Sequence, residues 1–174
     1  LQNKKKPLLA GGTGFIDLGK KSTHYYSYTN LEAEGWVGKD KVKGKAWHDK
    51  QWSRKGFMQD AWLWFSIQLE NNTEIVCFDY LGKKMASISY PNNRQAHTKA
   101  EFISLEKPWK SRKTGFEYPL HWEIKTKDFT IKTHPLINDG EMNFGNVHYW
   151  EGPISVNANG KMGRGFMEIL SPPL

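Results

Sequence analysis

Apolar and polar residues alternate with a period of two along most of this chain, and the spacing of an amphipathic helix is nearly absent. The alternation runs through HYYSYTNLEAEGWV, KVKGKAWHDKQW, AWLWFSIQL, EIVCFDYL, MASISYP, AEFISL, LHWEIKT, FTIKTHPL, VHYWEGPISVN and GRGFMEIL. Turn-forming residues separate these segments: Glu70-Asn71-Asn72, Leu81-Gly82-Lys83-Lys84, Pro91-Asn92-Asn93, Lys127-Asp128 and Asn157-Ala158-Asn159-Gly160. The pattern predicts an all-β protein of about ten strands in an antiparallel, up-and-down order. Closure into a barrel leaves no long unpaired edge.

Faces follow from the same period. In AWLWFSIQL, Leu63, Phe65, Ile67 and Leu69 share one side, and Trp62, Trp64, Ser66 and Gln68 share the other. A strand with one wet face would carry charges there, so both faces are expected to be covered. The expectation is a barrel whose inner face lines a cavity of mixed character, with its outer face packed on something else. In KAWHDKQW, Trp47, Asp49 and Gln51 fall on one side, with His48 and Trp52 on the other. In VHYWEGPI, Tyr149 and Glu151 lie opposite His148 and Trp150. Two acids, Asp49 and Glu151, thus stand on strands among bulky rings.

The chain has 174 residues, enough for one domain with a core. Aromatic residues make up 14%, which suits an aromatic interior. No internal repeat or linker divides the chain. Residues 1–24, with Lys4-Lys5-Lys6 and the glycines of GGTG, read as an arm leading into a barrel domain over 25–174. The formal net charge of +7 comes in scattered clusters rather than a stripe interleaved with aromatics, which argues against a nucleic-acid partner. Cys77 is the single cysteine and lies in an apolar run, where a buried, inert thiol is expected. No apolar run is long enough for a transmembrane segment. The first residue is Leu1 rather than methionine, so a processed product or a piece of something longer is expected.

Taken in order, YYSYTNLEAEGWV, GKAWHDKQW, AWLWFSIQL, TGFEYPLHWEI, YWEGPISV and GRGFMEI resemble the lipocalin-like AttH / hydroxyneurosporene synthase family, which includes carotenoid 1,2-hydratases. The family pattern runs Tyr-Tyr-Ser, Gly-x-x-Trp-x-Asp-x-x-Trp, Trp-x-Trp-Phe, Tyr-Pro…Trp and Tyr-Trp-Glu-Gly. The matching blocks spread from Tyr25 to Ile169. The resemblance implies a lipocalin-like barrel of 8–10 strands and, because family members carry two such barrels, the second of the two. The missing N-terminal barrel is then the expected partner of the covered outer faces. Two departures stand out: His48 precedes the motif acid where relatives carry other residues, and the tail ILSPPL lacks the polar end expected after Gly-x-x-Glu-Leu. For the full-length protein, a periplasmic, secreted or membrane-peripheral setting is the expectation, with the compartment itself left open.

The resemblance also implies a chemistry: cofactor-independent addition of water to an isolated C=C of a carotenoid or other isoprenoid. That reaction needs a carboxylic acid kept neutral by burial, π faces for a carbocation, and a polar group for the water. Asp49 matches the family's motif acid and is the expected catalytic acid, with Glu151 as a second. Trp47, Trp52, Trp62 and Trp64 are the expected walls of an apolar ligand site, and Gln68 and Tyr149 the holders of water. No metal is expected, because the histidines show no ligand spacing and HPLINDGE lacks the oxygen register of a calcium loop. No G-x-S-x-G nucleophile motif is present, and GGTG precedes no helix that would make it a phosphate loop. The residues leave open whether Asp49 is a working acid or a structural tie, and whether Glu151 pairs with a cation such as Arg164. They also leave open a pericyclase, which needs shape more than acid, and a non-enzymatic carrier or interaction module.

Overall fold

The computed structural model of the chain describes residues 1–54 and 60–170. Three two-residue strands, β1 (Gln2–Asn3), β2 (Leu8–Leu9) and β3 (Phe15–Ile16), each pair with the long β4 (Thr23–Val37). β4 in turn pairs with β5 (Asp40–Ser53), with a register shift between Tyr28 and Leu31. These strands form one sheet. A second sheet holds β6 (Trp62–Leu69), β7 (Glu74–Tyr80), β8 (Lys83–Ser89), β9 (Gln95–Lys99) and β10 (Glu101–Ser104). It continues through β13 (Trp122–Lys125), β14 (Thr130–Pro135), β16 (Val147–Ala158) and β17 (Lys161–Leu170), with β15 (Glu141–Phe144) added beside β16. A small ribbon of β11 (Trp109–Lys110) and β12 (Glu117–Tyr118) lies between β10 and β13 in sequence.

The second sheet is an antiparallel meander that turns back on itself. β17, the last strand, pairs with β6, the first, from Gly163↔Leu69 to Leu170↔Trp62. The two ends of the ladder, β9 and β10, follow one another through Ala100. The result is a nearly closed, lipocalin-like barrel of nine strands. The β16–β17 turn uses Asn159 and Gly160 with φ of 50° and 81°, the left-handed pair that a tight hairpin demands. Gly165 lets β17 lie close on β6: a Cβ there would stand 1.9 Å from the Ser66 carbonyl oxygen.

The barrel interior is filled. Phe65, Ile67, Ile75, Ile88, Ile124, Ile131, Trp150 and Met167 are all fully buried in one cluster. Phe65 stacks on Phe102 at 6.0 Å and meets Trp122 edge-on at 6.4 Å. Each such aliphatic or aromatic side chain contributes roughly 1.5–3 kcal/mol of burial. The cavity expected inside the barrel therefore has to be relocated, and the outer face shows where. Val76, Phe78 and Tyr80 point outward, with Trp62 and Trp64 beside them, and pack against Tyr25, Leu8, Ala10, Ile16 and Trp47 of the first sheet. The outer tryptophan face is covered by the chain's own β4–β5 hairpin. Both edges of β6 are taken by barrel strands, β7 and β17, and β5 pairs with β4 instead.

The arm is built into this cover. Leu8, Ala10 and Ile16 are at most 2% exposed. Lys5 Nζ reaches the barrel, 2.6 Å from Glu74 Oε2, 2.6 Å from the Asn72 carbonyl and 3.0 Å from that of Tyr90. Asn30 Nδ2 donates to the other oxygen of Glu74 at 2.8 Å. The tail residues 171–174 lie outside the described residues.

Candidate functional site

Two adjacent strands of the covering sheet hold Asp49. Its partner across the β4–β5 ladder is Ser27, whose hydroxyl donates to Oδ1 at 2.5 Å. Trp47, two residues earlier on the same face, donates its indole N–H to the same oxygen at 2.7 Å. Tyr25, two residues before Ser27, adds its hydroxyl to the carboxyl and itself accepts the Trp64 indole N–H at 2.7 Å. Burial raises the Asp49 pKa, and the three donors work against that rise. Burial, then the Asp49 charge, push the Tyr25 phenol well above its ordinary value, so it stays a neutral donor.

Two cavities flank this carboxyl, and both lie between the covering sheet and the outer barrel wall. One, of about 190 Å³, is lined by Ile16, Thr23, Tyr25, Trp62, Phe78 and Tyr80. The other is a groove of about 1230 Å³ that runs past Trp47, Gln68, Glu151, Arg164 and Phe166. Asp49, Trp64 and Glu168 line both. Glu168 sits on β17 between Glu151 of β16 and Trp64 of β6, its direct partners in the two ladders. Trp62 donates its indole N–H to Glu168 Oε2 at 3.1 Å. Burial, then the charge of Glu151, push Glu168 up to about 7, with a smaller push from Asp49.

The structure brings together Asp49, Trp47, Trp62, Trp64, Gln68, Glu151 and Tyr149 around these cavities. Tyr149 reaches Glu151 Oε2 at 3.4 Å, and its ring tilts against Trp62 at 6.3 Å. Gln68 commits its amide N–H groups to the backbone carbonyls of Thr29 and Ala46, at 2.8 and 3.3 Å. Its place is a tie between barrel and cover. Trp52 is not at the site: it lies on the opposite face of β5, 48% exposed, stacked on His24 with centroids 5.1 Å apart. His48 is on that face too, against Tyr28. Cys77 is fully buried in the barrel, and burial pushes its thiol far up, which leaves it unreactive. Among the described residues, no group of three or more His, Cys, Asp and Glu side chains is arranged to hold a metal ion. No helix of the described residues is long and apolar enough to cross a membrane.

Sequence reasoning missed Tyr25 and Glu168. Tyr25 was within reach, since it shares the β4 face that the Asp49 register selects. For Glu168 the signal was weaker: Glu151 faces it across the β16–β17 hairpin, but Trp62 and Asp49 come from strands more than a hundred residues away in sequence.

The sequence pattern of the AttH-like family matches residues 1–171. No curated protein sequence matches the chain. A crystal structure described as an AttH protein from Nitrosomonas europaea superposes with a TM-score of 0.85 and 25% identity, covering 97% of this chain and 58% of that one. Kievitone hydratase from Nectria haematococca superposes with a TM-score of 0.81 and 20% identity, covering 95% of this chain and 58% of its own. This chain thus spans little more than half the length of either structure. With the family pattern present from the first residue to 171, and the barrel and its cover shared with an AttH protein, the chain belongs to the AttH-like family.

Proposed function

We propose that this chain is the carboxyl-bearing domain of a cofactor-independent hydratase that adds water across an isolated C=C of a carotenoid or other isoprenoid. One observation carries the reading: a buried carboxyl, Asp49, held by hydroxyl and indole donors where a small apolar cavity meets a wider groove. The chemistry needs the three things assembled there. Carboxyl groups in a dry, ring-lined site give and take protons. The faces of Trp62 and Trp64 stabilise a tertiary carbocation. The groove accepts the rest of a long apolar chain and admits water.

In this reading Asp49 and Glu151 serve as acid–base groups, Trp47, Trp62 and Trp64 as ligand walls, and Tyr149 as the group that orients water beside Glu151. Gln68 is supporting structure, and Trp52 stands outside the site. The kinship in fold with a kievitone hydratase is in keeping with water addition. The partner of this chain is a second, N-terminal barrel of the full-length protein, consistent with the greater length of both structural relatives.

The test is Asp49→Asn in the full-length protein, given lycopene and followed by chromatography and mass spectrometry for the product carrying one added water. A loss of about 10²–10⁴-fold in turnover with retained binding supports the reading. Unchanged turnover would point to shape-driven catalysis. Binding without turnover in the parent protein would make the domain a carrier.

A further inference from the structure

Glu168 falls in the GRGFMEI block that carries the family resemblance, but its position suggests more than a packing role. It shares the wall between the two cavities with Asp49, and burial raises both carboxyls, but they differ in the groups that face them. Asp49 collects donors: the Ser27 hydroxyl, the Trp47 indole and the Tyr25 hydroxyl. Each of these donors favours the anion and works against the rise that burial causes. Glu168 has the Trp62 indole on one oxygen, and a second acid, Glu151, directly across the ladder.

The remaining ionisable neighbours do not reverse this contrast. Tyr25 and Tyr80 line the small cavity, and burial raises both phenols, so they remain neutral. From β16, Tyr149 is also raised. Arg164 lines the groove four positions back along β17, Lys45 four positions back along β5 from Asp49, and Glu70 beyond the end of β6. Like-charged carboxyls sharing one site part their proton affinities, and the one with fewer donors to its charged form keeps the proton.

We propose that Glu168 is the proton donor of the hydration and that Asp49 is its anionic partner; the inference rests on the hydratase reading above. The substrate places the end of its C=C in the small cavity. The π pair takes the Glu168 proton to form a C–H bond at the less substituted carbon. The adjacent tertiary carbon becomes the cation, faced by Trp62 and Trp64. A water molecule from the groove attacks that carbon with a lone pair, forms the C–O bond and releases its proton to Asp49. Asp49 returns a proton to Glu168 through water, so the net change is alkene plus water to tertiary alcohol, with no change in oxidation level. In this proposal the donor is Glu168 and Asp49 takes the part of base.

Two measurements test the proposal. The first follows carboxyl carbons by NMR in full-length protein labelled with ¹³C-glutamate, with Glu168 identified by the signal lost in Glu168→Gln. Glu168 is expected to titrate near neutrality and to shift down in Glu151→Gln. Titration in the ordinary glutamate range overturns the proposal. The second compares pH profiles of lycopene hydration. Glu168→Gln is expected to lose about 10²–10⁴-fold in kcat with KM little changed, and the wild type to lose kcat on the alkaline side as Glu168 ionises. Glu168→Asp should restore part of the rate. If Asp49→Asn is inactive while Glu168→Gln keeps the wild-type kcat, the donor role is wrong and the hydratase reading stands. If the wild type binds lycopene and never hydrates it, both fall together.

Discussion

Ser27 and Asp49 are direct partners across the β4–β5 ladder, and the hydroxyl of one donates to Oδ1 of the other at 2.5 Å. That bond favours the carboxylate. Ser27→Ala is therefore expected to raise the Asp49 pKa further, and the acid limb of the activity profile should move to higher pH. Carboxyl-carbon NMR of ¹³C-aspartate-labelled protein reads the first effect, and a pH–rate profile the second. A limb that stays in place would show that Asp49 does not act as the base.

Glu168 makes stability depend on pH in a direction that can be worked out. Its folded pKa of about 7 stands above the ordinary 4.5, so between those values the folded state holds a proton that the unfolded state has lost. The neutral form's contribution is full below about 4.5 and is lost as pH rises through 7. Glu168→Gln cannot ionise, so it should match the wild type at low pH and exceed it by roughly 1–3 kcal/mol above neutrality. Urea melts at pH 4.5 and pH 8 measure the difference. Equal gaps at the two pH values would contradict it.

The tryptophans should separate by face. Trp52→Ala removes a ring on the outer side of the cover, stacked on His24, and lycopene binding and turnover are expected to stay at wild-type values. Trp64→Phe keeps a ring in both cavities but deletes the indole N–H that reaches Tyr25. Loss of one such bond costs about 1 kcal/mol of stability, and kcat is expected to fall as Tyr25 loosens against Asp49. Steady-state kinetics on the two variants side by side would decide it.

The arm is a structural element by virtue of Lys5. Its ammonium is buried with Glu74 and caps two barrel carbonyls. Lys5→Met takes from the Glu74 carboxyl its buried cation and leaves the Asn30 amide as its hydrogen-bond donor among the described residues. Removal of one partner from a buried pair costs about 3–5 kcal/mol. Thermal and urea unfolding should show that loss, and Gln2→Ala, at an exposed position of β1, should not.

Some of this architecture is written locally. Leu63, Phe65, Ile67 and Leu69 turn inward and Trp62, Trp64 and Gln68 outward, as the period of two requires. The same rule separates Asp49 from His48 and Trp52, and Glu151 from Trp150. β9 escaped notice because QAHTK is a half-wet strand without apolar alternation, and β15 because EMNF is short and largely exposed.

Chain alternation alone thus determined the fold class, the division of β5, β6 and β16 into two faces, and the placing of an acid with an indole on one face of β5. These are properties of neighbouring residues, and a strand's pleat is set within a few positions. Tertiary structure decided where the site lies. Once β17 closes on β6, the barrel has room only for its own core, and the β4–β5 hairpin has to bury its aromatic face against the outer wall. That one packing choice moves the cavity outside the barrel and sets Glu168 beside Asp49. It also gives two identical functional groups different neighbours, three donors for Asp49 and a facing acid for Glu168.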